Sequence, residues 1–160
     1  MDNSNFLTLD RLSVWYSPGK NVLDDFSLVL GEHEIVGLIG LNGAGKTTFI
    51  KTLSGLVSSF QIGAALWQGT AFSFRDRTFK ENRYTVFAED HSFGYFTFRE
   101  YLSYAAASYG VKQPDFSALA RGFHFEDYVD VLLKELSTGN LKKAYLMTAF
   151  ALHPRLLLLD

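Results

Sequence analysis

The stretch Gly40-Leu41-Asn42-Gly43-Ala44-Gly45-Lys46-Thr47-Thr48 gathers glycines, a lysine and hydroxyls directly after the apolar run Ile35-Val36-Gly37-Leu38-Ile39. Glycine lets successive backbone N–H groups turn inward around a polyphosphate with no Cβ in the way. A helix opening near Lys46 adds the partial positive charge of its N-terminus, and the Lys46 ammonium adds a full charge at the β and γ phosphates. Thr47 supplies a hydroxyl of the kind that ligates Mg2+. Gly40-x-x-x-x-Gly45-Lys46-Thr47 is the Walker A pattern, whose confirming context is a strand before it and a helix after it. A plain glycine turn entering a helix is the bland alternative, and the full pattern in that context is too rare by chance to favour it.

These groups need elements to hold them. Leu7 to Tyr16 and Phe26-Ser27-Leu28-Val29-Leu30 read as half-buried strands, with Ser17-Pro18-Gly19-Lys20 as the turn between them. Ile35 to Ile39 is apolar without alternation, which predicts a strand covered on both faces. Phe49, Ile50, Leu53, Leu56 and Val57 fall on one helical stripe after the glycine loop. Gly63 to Phe74 and Thr85 to Phe87 read as further strands. Thr97-Phe98-Arg99-Glu100 is a capping box, followed by the stripe Phe98, Tyr101, Leu102, Ala105 and Tyr109 and a stop at Gly110. Tyr128 to Leu136 reads as a shorter helix. Leu141, Tyr145, Ala149 and Leu152 stripe another that ends near Pro154. Leu156-Leu157-Leu158-Leu159 reads as a fully buried strand ending on the carboxylate of Asp160. This order of elements predicts an α/β fold.

Composition sets the bounds. At 160 residues the chain has room for one domain with a sizeable core. The formal charge of -2 gives no electrostatic case for nucleic acid as a partner. Without cysteine, disulfides and thiolate chemistry are excluded, which fits a reducing compartment. The opening MDNSNFLTLD is acidic and polar and is no signal peptide. No apolar run approaches the roughly 20 residues of a membrane span. Rings are plentiful, with 15 Phe and 8 Tyr. His33, His91, His124 and His153 show no metal-ligand spacing, and His91 alone lies near a candidate site.

Taken in order, Tyr16, GLNGAGKTT, Leu136-Ser137-Thr138-Gly139-Asn140 and LLLLD resemble the ATP-binding subunits of ABC transporters, from about residue 6 to the last. Phe98-Arg99-Glu100-Tyr101-Leu102 and Glu126-Asp127-Tyr128 look like the helical insert of the exporter ATPases of that family. The resemblance implies a P-loop ABC-type ATPase core with an antiparallel β edge. It implies ATP and Mg2+ as ligands, with Gly40, Asn42, Gly43, Ala44, Gly45, Lys46, Thr47 and Thr48 around the phosphates. Tyr16 takes the place of the aromatic that stacks on adenine, against plain strand packing as the alternative. Asp160 matches the Walker B aspartate that holds Mg2+ together with Thr47. Ser137, Thr138, Gly139 and Asn140 match the signature that faces the γ-phosphate of ATP on a second subunit, homologous or identical. Here Thr138 stands for the second glycine and Asn140 for the glutamine, which predicts a weaker trans contact. Glu89 falls at the Q-loop position, as a further metal or catalytic candidate with an added negative charge; Asp90 is its rival, and a solvated acid the alternative.

The same resemblance implies a transmembrane permease subunit as partner and a place at the inner face of the cell membrane. Most of the cluster Phe93, Tyr95, Phe96, Phe98, Tyr101 and Tyr104 is expected as core of the helical insert, and the rest as a groove for the permease. Within one ABC-type domain over 1–160, residues 1–89 are expected as the β-rich nucleotide core, about 90–140 as the helical insert and 141–160 as signature helix and Walker B strand. In the family a glutamate that polarises the attacking water follows the Walker B aspartate. The chain is therefore expected to be part of a longer polypeptide, and residues 1–160 alone to bind ATP but hardly hydrolyse it. Soluble ABC ATPases of translation or chromosome maintenance, and a hydrolysis-deficient nucleotide-binding module, are the alternatives. The stretch from Thr48 to Leu136 leaves no space for the long coiled coil of the chromosome proteins, and no second Walker A occurs.

Overall fold

A computed structural model of the chain describes residues 5–87, 92–112 and 114–160. It divides into two compact units, Met1–Lys80 and Glu81–Asp160.

The first unit is built on a long hairpin. Strand β1 (Leu7–Ser17) pairs antiparallel with β2 (Lys20–Leu30), from Leu7 opposite Leu30 to Ser17 opposite Lys20, as the expected turn requires. Leu7, Leu9, Leu12 and Val14 are all buried, although their spacing breaks strict alternation. The register shifts between Leu9 and Leu12, where Arg11 has a φ of 52°. One extra residue at this bulge keeps the apolar face of β1 inward on both sides of it. On its other edge β1 pairs with β3 (Phe60–Gln61) and β4 (Ala64–Trp67). A two-residue turn at Gln68-Gly69 joins β4 to β5 (Thr70–Ala71), so the strand expected over 63–74 is a hairpin. Helix α1 (Lys46–Leu53) follows the glycine loop. Phe79 on α2 (Arg77–Asn82) sits 5.1 Å from the Trp67 ring and 4.4 Å from that of Phe72.

Two expectations for this unit are corrected. Ile35 to Ile39 does not form a strand, and it pairs with no strand among the described residues. Ile35 and Ile39 are 98% and 99% exposed. An apolar run becomes a buried strand only where neighbours supply its backbone partners, and periodicity does not supply them. The stripe on α1 is also shorter. Phe49, Ile50 and Leu53 are buried, but the helix ends at Leu53, and Leu56 points outward at 65% exposure.

In the second unit, β6 (Arg83–Val86) and β7 (Leu156–Leu159) form a parallel pair, Arg83 opposite Leu156 and Val86 opposite Leu159. Among the described residues they are accompanied by helices α3 (Phe98–Ser108), α4 (Ser117–Gly122) and α5 (Thr138–Leu152). The core centres on Phe98, Leu102, Phe125, Leu133 and Met147, each almost fully buried. The capping box at Thr97 is present: Thr97 N donates to Glu100 Oε2 at 2.8 Å, and Glu100 N donates to Thr97 Oγ1 at 3.2 Å. At the far end of α3, Gly110 N donates to Ala107 O and Val111 N to Ala106 O, with Gly110 at φ 68°. This Schellman closure is what the glycine allows.

Here too the structure differs from expectation. Tyr128 to Leu136 is not one helix but two separate 3-10 turns, Glu126–Tyr128 and Leu133–Glu135. Its backbone groups are spent on a neighbouring loop instead: Leu133 N donates to Phe96 O and Lys134 N to Gly94 O. Leu159 is 55% exposed, so β7 is not buried along its whole length. Among the described residues no helix is long and apolar enough to cross a membrane.

Candidate functional site

In the first unit the glycine loop closes on itself. Lys46 Nζ donates to Gly40 O at 2.8 Å and to Leu41 O at 2.9 Å. Ala44 N donates to Leu41 O at 3.1 Å. Gly43 and Gly45 have φ of 84° and 87°, a region that L side chains rarely enter. Gly45 is constrained a second time. A Cβ there would lie 2.8 Å from Leu23 Cδ2 and 2.9 Å from Val22 O, so β2 itself demands a glycine. Phe49 N donates to Gly45 O at 2.8 Å as α1 begins. Phe26 on β2 meets Phe49 on α1 edge to face at 4.9 Å and fixes the helix against the hairpin.

A glycine loop running into a helix N-terminus is the kind of backbone that can hold an anion, and here the Lys46 ammonium is bonded to two carbonyls of that loop. Asn42, Gly43 and Ala44 are exposed at its tip and Thr47 is exposed on the first turn of α1, whereas Thr48 is buried. The Tyr16 hydroxyl lies 3.4 Å from Thr48 Oγ1, and the residue is 60% exposed. Tyr16 and the loop are therefore neighbours, with the ring open to solvent beside them. No acidic residue stands in the first turn of α1, so the helix itself places no carboxylate at its positive end.

In the second unit, Ser137 caps α5 and accepts a hydrogen bond from Asn140 N at 3.3 Å. Thr138 and Gly139 are exposed on the first turn. Asp160 follows β7, and its N–H donates to Val86 O at 3.0 Å, which places it beside the end of β6. Glu89, Asp90 and His91 lie outside the described residues. The second unit also holds a tyrosine network that no motif announces. The hydroxyls of Tyr84 on β6 and Tyr101 on α3 are 2.7 Å apart, and the Tyr101 and Tyr145 rings meet edge to face at 5.4 Å. Burial, and then Tyr101, raises the Tyr84 phenol well above its ordinary range, so it stays neutral. Tyr109 donates to Arg83 O at the start of the same strand. The network joins β6, α3 and α5.

The ABC transporter family model matches residues 23–160. The chain belongs to the ABC transporter ATP-binding proteins. It is 34% identical to the putative ABC transporter ATP-binding protein AlbC of Bacillus subtilis, over 98% of this chain and 68% of that one. It is 29% identical to the uncharacterized ABC transporter ATP-binding protein YhaQ of the same organism, over 96% of this chain and 51% of that one. A solved structure of an ATP-binding subunit of an ABC transporter superposes with a TM-score of 0.85 at 30% identity, covering 97% of this chain and 65% of its own. The chain thus spans between half and about two-thirds of the length of these relatives. Its fold is the P-loop ABC-type ATPase fold, with an antiparallel β edge and helices in the second unit.

Proposed function

We propose that the chain is the nucleotide-binding part of an ABC ATPase that holds MgATP and, in the complete protein, hydrolyses it to power a separate membrane subunit. The observation that carries this reading is the closed glycine loop, with the Lys46 ammonium bonded to Gly40 O and Leu41 O at the head of α1. A phosphate chain would take over those ammonium bonds and accept from backbone N–H groups of the loop and of the first turn of α1. Tyr16 would lie under the adenine.

Thr47 and Asp160 offer the oxygen donors that Mg2+ takes, and Glu89 is a further candidate by sequence. When bound, the ion offsets the negative charge of the phosphates. Ser137, Thr138, Gly139 and Asn140 open α5 with an N-terminus suited to an anion held by a second ATP-binding subunit. In this reading residues 1–89 form the nucleotide core, 90–140 the helical insert, and 141–160 the signature helix and Walker B strand. The protein works at the inner face of the membrane beside its permease.

Calorimetry on the complete protein tests the reading. Wild type is expected to bind MgATP, and Lys46→Ala to weaken binding by about 10–100-fold, the loss of one or two charge-assisted phosphate contacts. A folded wild type that gives no heat with MgATP, or a Lys46→Ala variant that binds as tightly as wild type, overturns it.

A further inference from the structure

Within the second unit, the loop that enters α3 and the segment that enters α5 are bonded to each other along their length. Lys134 N donates to Gly94 O at 2.9 Å, Leu133 N to Phe96 O at 2.8 Å, and Arg99 N to Val129 O at 3.2 Å. Between these bonds Thr97 and Leu132 face each other in an antiparallel bridge that belongs to neither sheet. Side chains extend the ladder at both ends. Arg99 Nε and Nη2 donate to Asp130 Oδ1 and Oδ2 at 2.8 and 3.1 Å, a two-pronged pairing with a fixed plane. The Lys134 ammonium lies 4.0 Å from the centre of the Tyr95 ring.

Two features set this ladder apart from ordinary bracing. The Arg99 and Asp130 side chains are 55% and 70% exposed, and an exposed pair of this sort adds little to stability. The fold around it is already held by Phe98, Phe125 and Leu133, all buried. What a planar two-point pairing does supply is resistance to sliding. The ladder also stops two residues short of Ser137, the cap of α5, and at its other side it carries the ring surface of Phe93, Tyr95 and Phe96.

We propose that Arg99 and Asp130, with Lys134, are positioning residues that lock the aromatic loop 92–97 to the N-terminus of α5, so that the two shift as one body. The inference rests on the nucleotide reading above, since it assigns Ser137 to an ATP-linked contact. Coupling of this kind is reciprocal, so a contact made at Ser137 is felt at the loop as much as the reverse.

Hydrogen exchange on the complete protein, with MgATP as the probe, separates the possibilities. In wild type MgATP is expected to slow exchange at residues 137–141 and, through the ladder, at 94–99. In Arg99→Asp the effect at 137–141 persists while the nucleotide-dependent slowing at 94–99 falls by at least about fivefold. The exchanged pair Arg99→Asp/Asp130→Arg restores it. An Arg99→Asp variant that keeps the full nucleotide response at 94–99 overturns the proposal. So does one in which exchange there rises equally with and without MgATP, or one that the exchanged pair fails to rescue, since either marks a local brace only. A wild type in which MgATP alters nothing at 137–141 overturns the nucleotide reading beneath it.

Discussion

Gly45 shows how much one residue of the loop is asked to do. Its backbone is in the left-handed region at φ 87°, and the space for a side chain is filled by Leu23 Cδ2 and Val22 O. Gly45→Ala is expected to cost about 2–4 kcal/mol, combining the left-handed penalty with overpacking against β2. Chemical denaturation of the complete protein measures it, and a loss under about 0.5 kcal/mol would show that β2 yields there. Gly43 has a similar φ with open space around it, so the same substitution there meets the conformational penalty alone. The motif made Gly45 legible as a glycine. That its side chain is barred by a strand more than twenty positions earlier was not legible, because nothing local to the loop encodes the approach of Leu23.

Elements are legible in the sequence where a local chemical rule fixes their ends. The Thr97–Glu100 box, the Gly110 stop and the Ser137 cap are short-range hydrogen-bond patterns, and each stands where the residues put it. In the segment 128–136 a helical pattern competes with hydrogen bonding to the loop 92–97, and the loop wins. The tyrosine network shows the same limit from the other side. Tyr84, Tyr101 and Tyr145 are far apart in the chain, and only packing brings β6, α3 and α5 together. Its hydroxyl pair gives a clear expectation. Tyr101→Phe removes the partner of the buried Tyr84 hydroxyl and is expected to cost about 1–3 kcal/mol. Tyr84→Phe/Tyr101→Phe should then cost less than the sum of the two single changes, since no hydroxyl of the pair is stranded. A denaturation double-mutant cycle reads this, and strict additivity would mean that the 2.7 Å contact carries no coupling.

At the scale of the molecule, the exposed run Ile35 to Ile39 has direct consequences. Ile35, Ile39 and Leu41 are each at least 85% exposed, which puts three large apolar side chains in water within seven residues, and exposed apolar surface draws chains together. The 160-residue chain is expected to self-associate in sedimentation velocity, and Ile35→Lys/Ile39→Lys to shift it toward monomer. A wild-type chain that stays monomeric at high concentration would show that this run is not the sticky surface its exposure suggests. By itself the sequence determined the family, the Walker A pattern of Gly40 to Thr48, the hairpin 7–30 and the capped helices. Those depend on residue types at short spacing, where covalent geometry and local hydrogen bonds decide. Tertiary structure alone decided that Tyr16 stands beside Thr48, that β2 closes on Gly45, that Ile35 to Ile39 pairs with no strand among the described residues, and that 94–99 is laced to 129–134. Each of these depends on which distant segment arrives as a neighbour, and burial and backbone pairing are properties of the neighbour as much as of the residue.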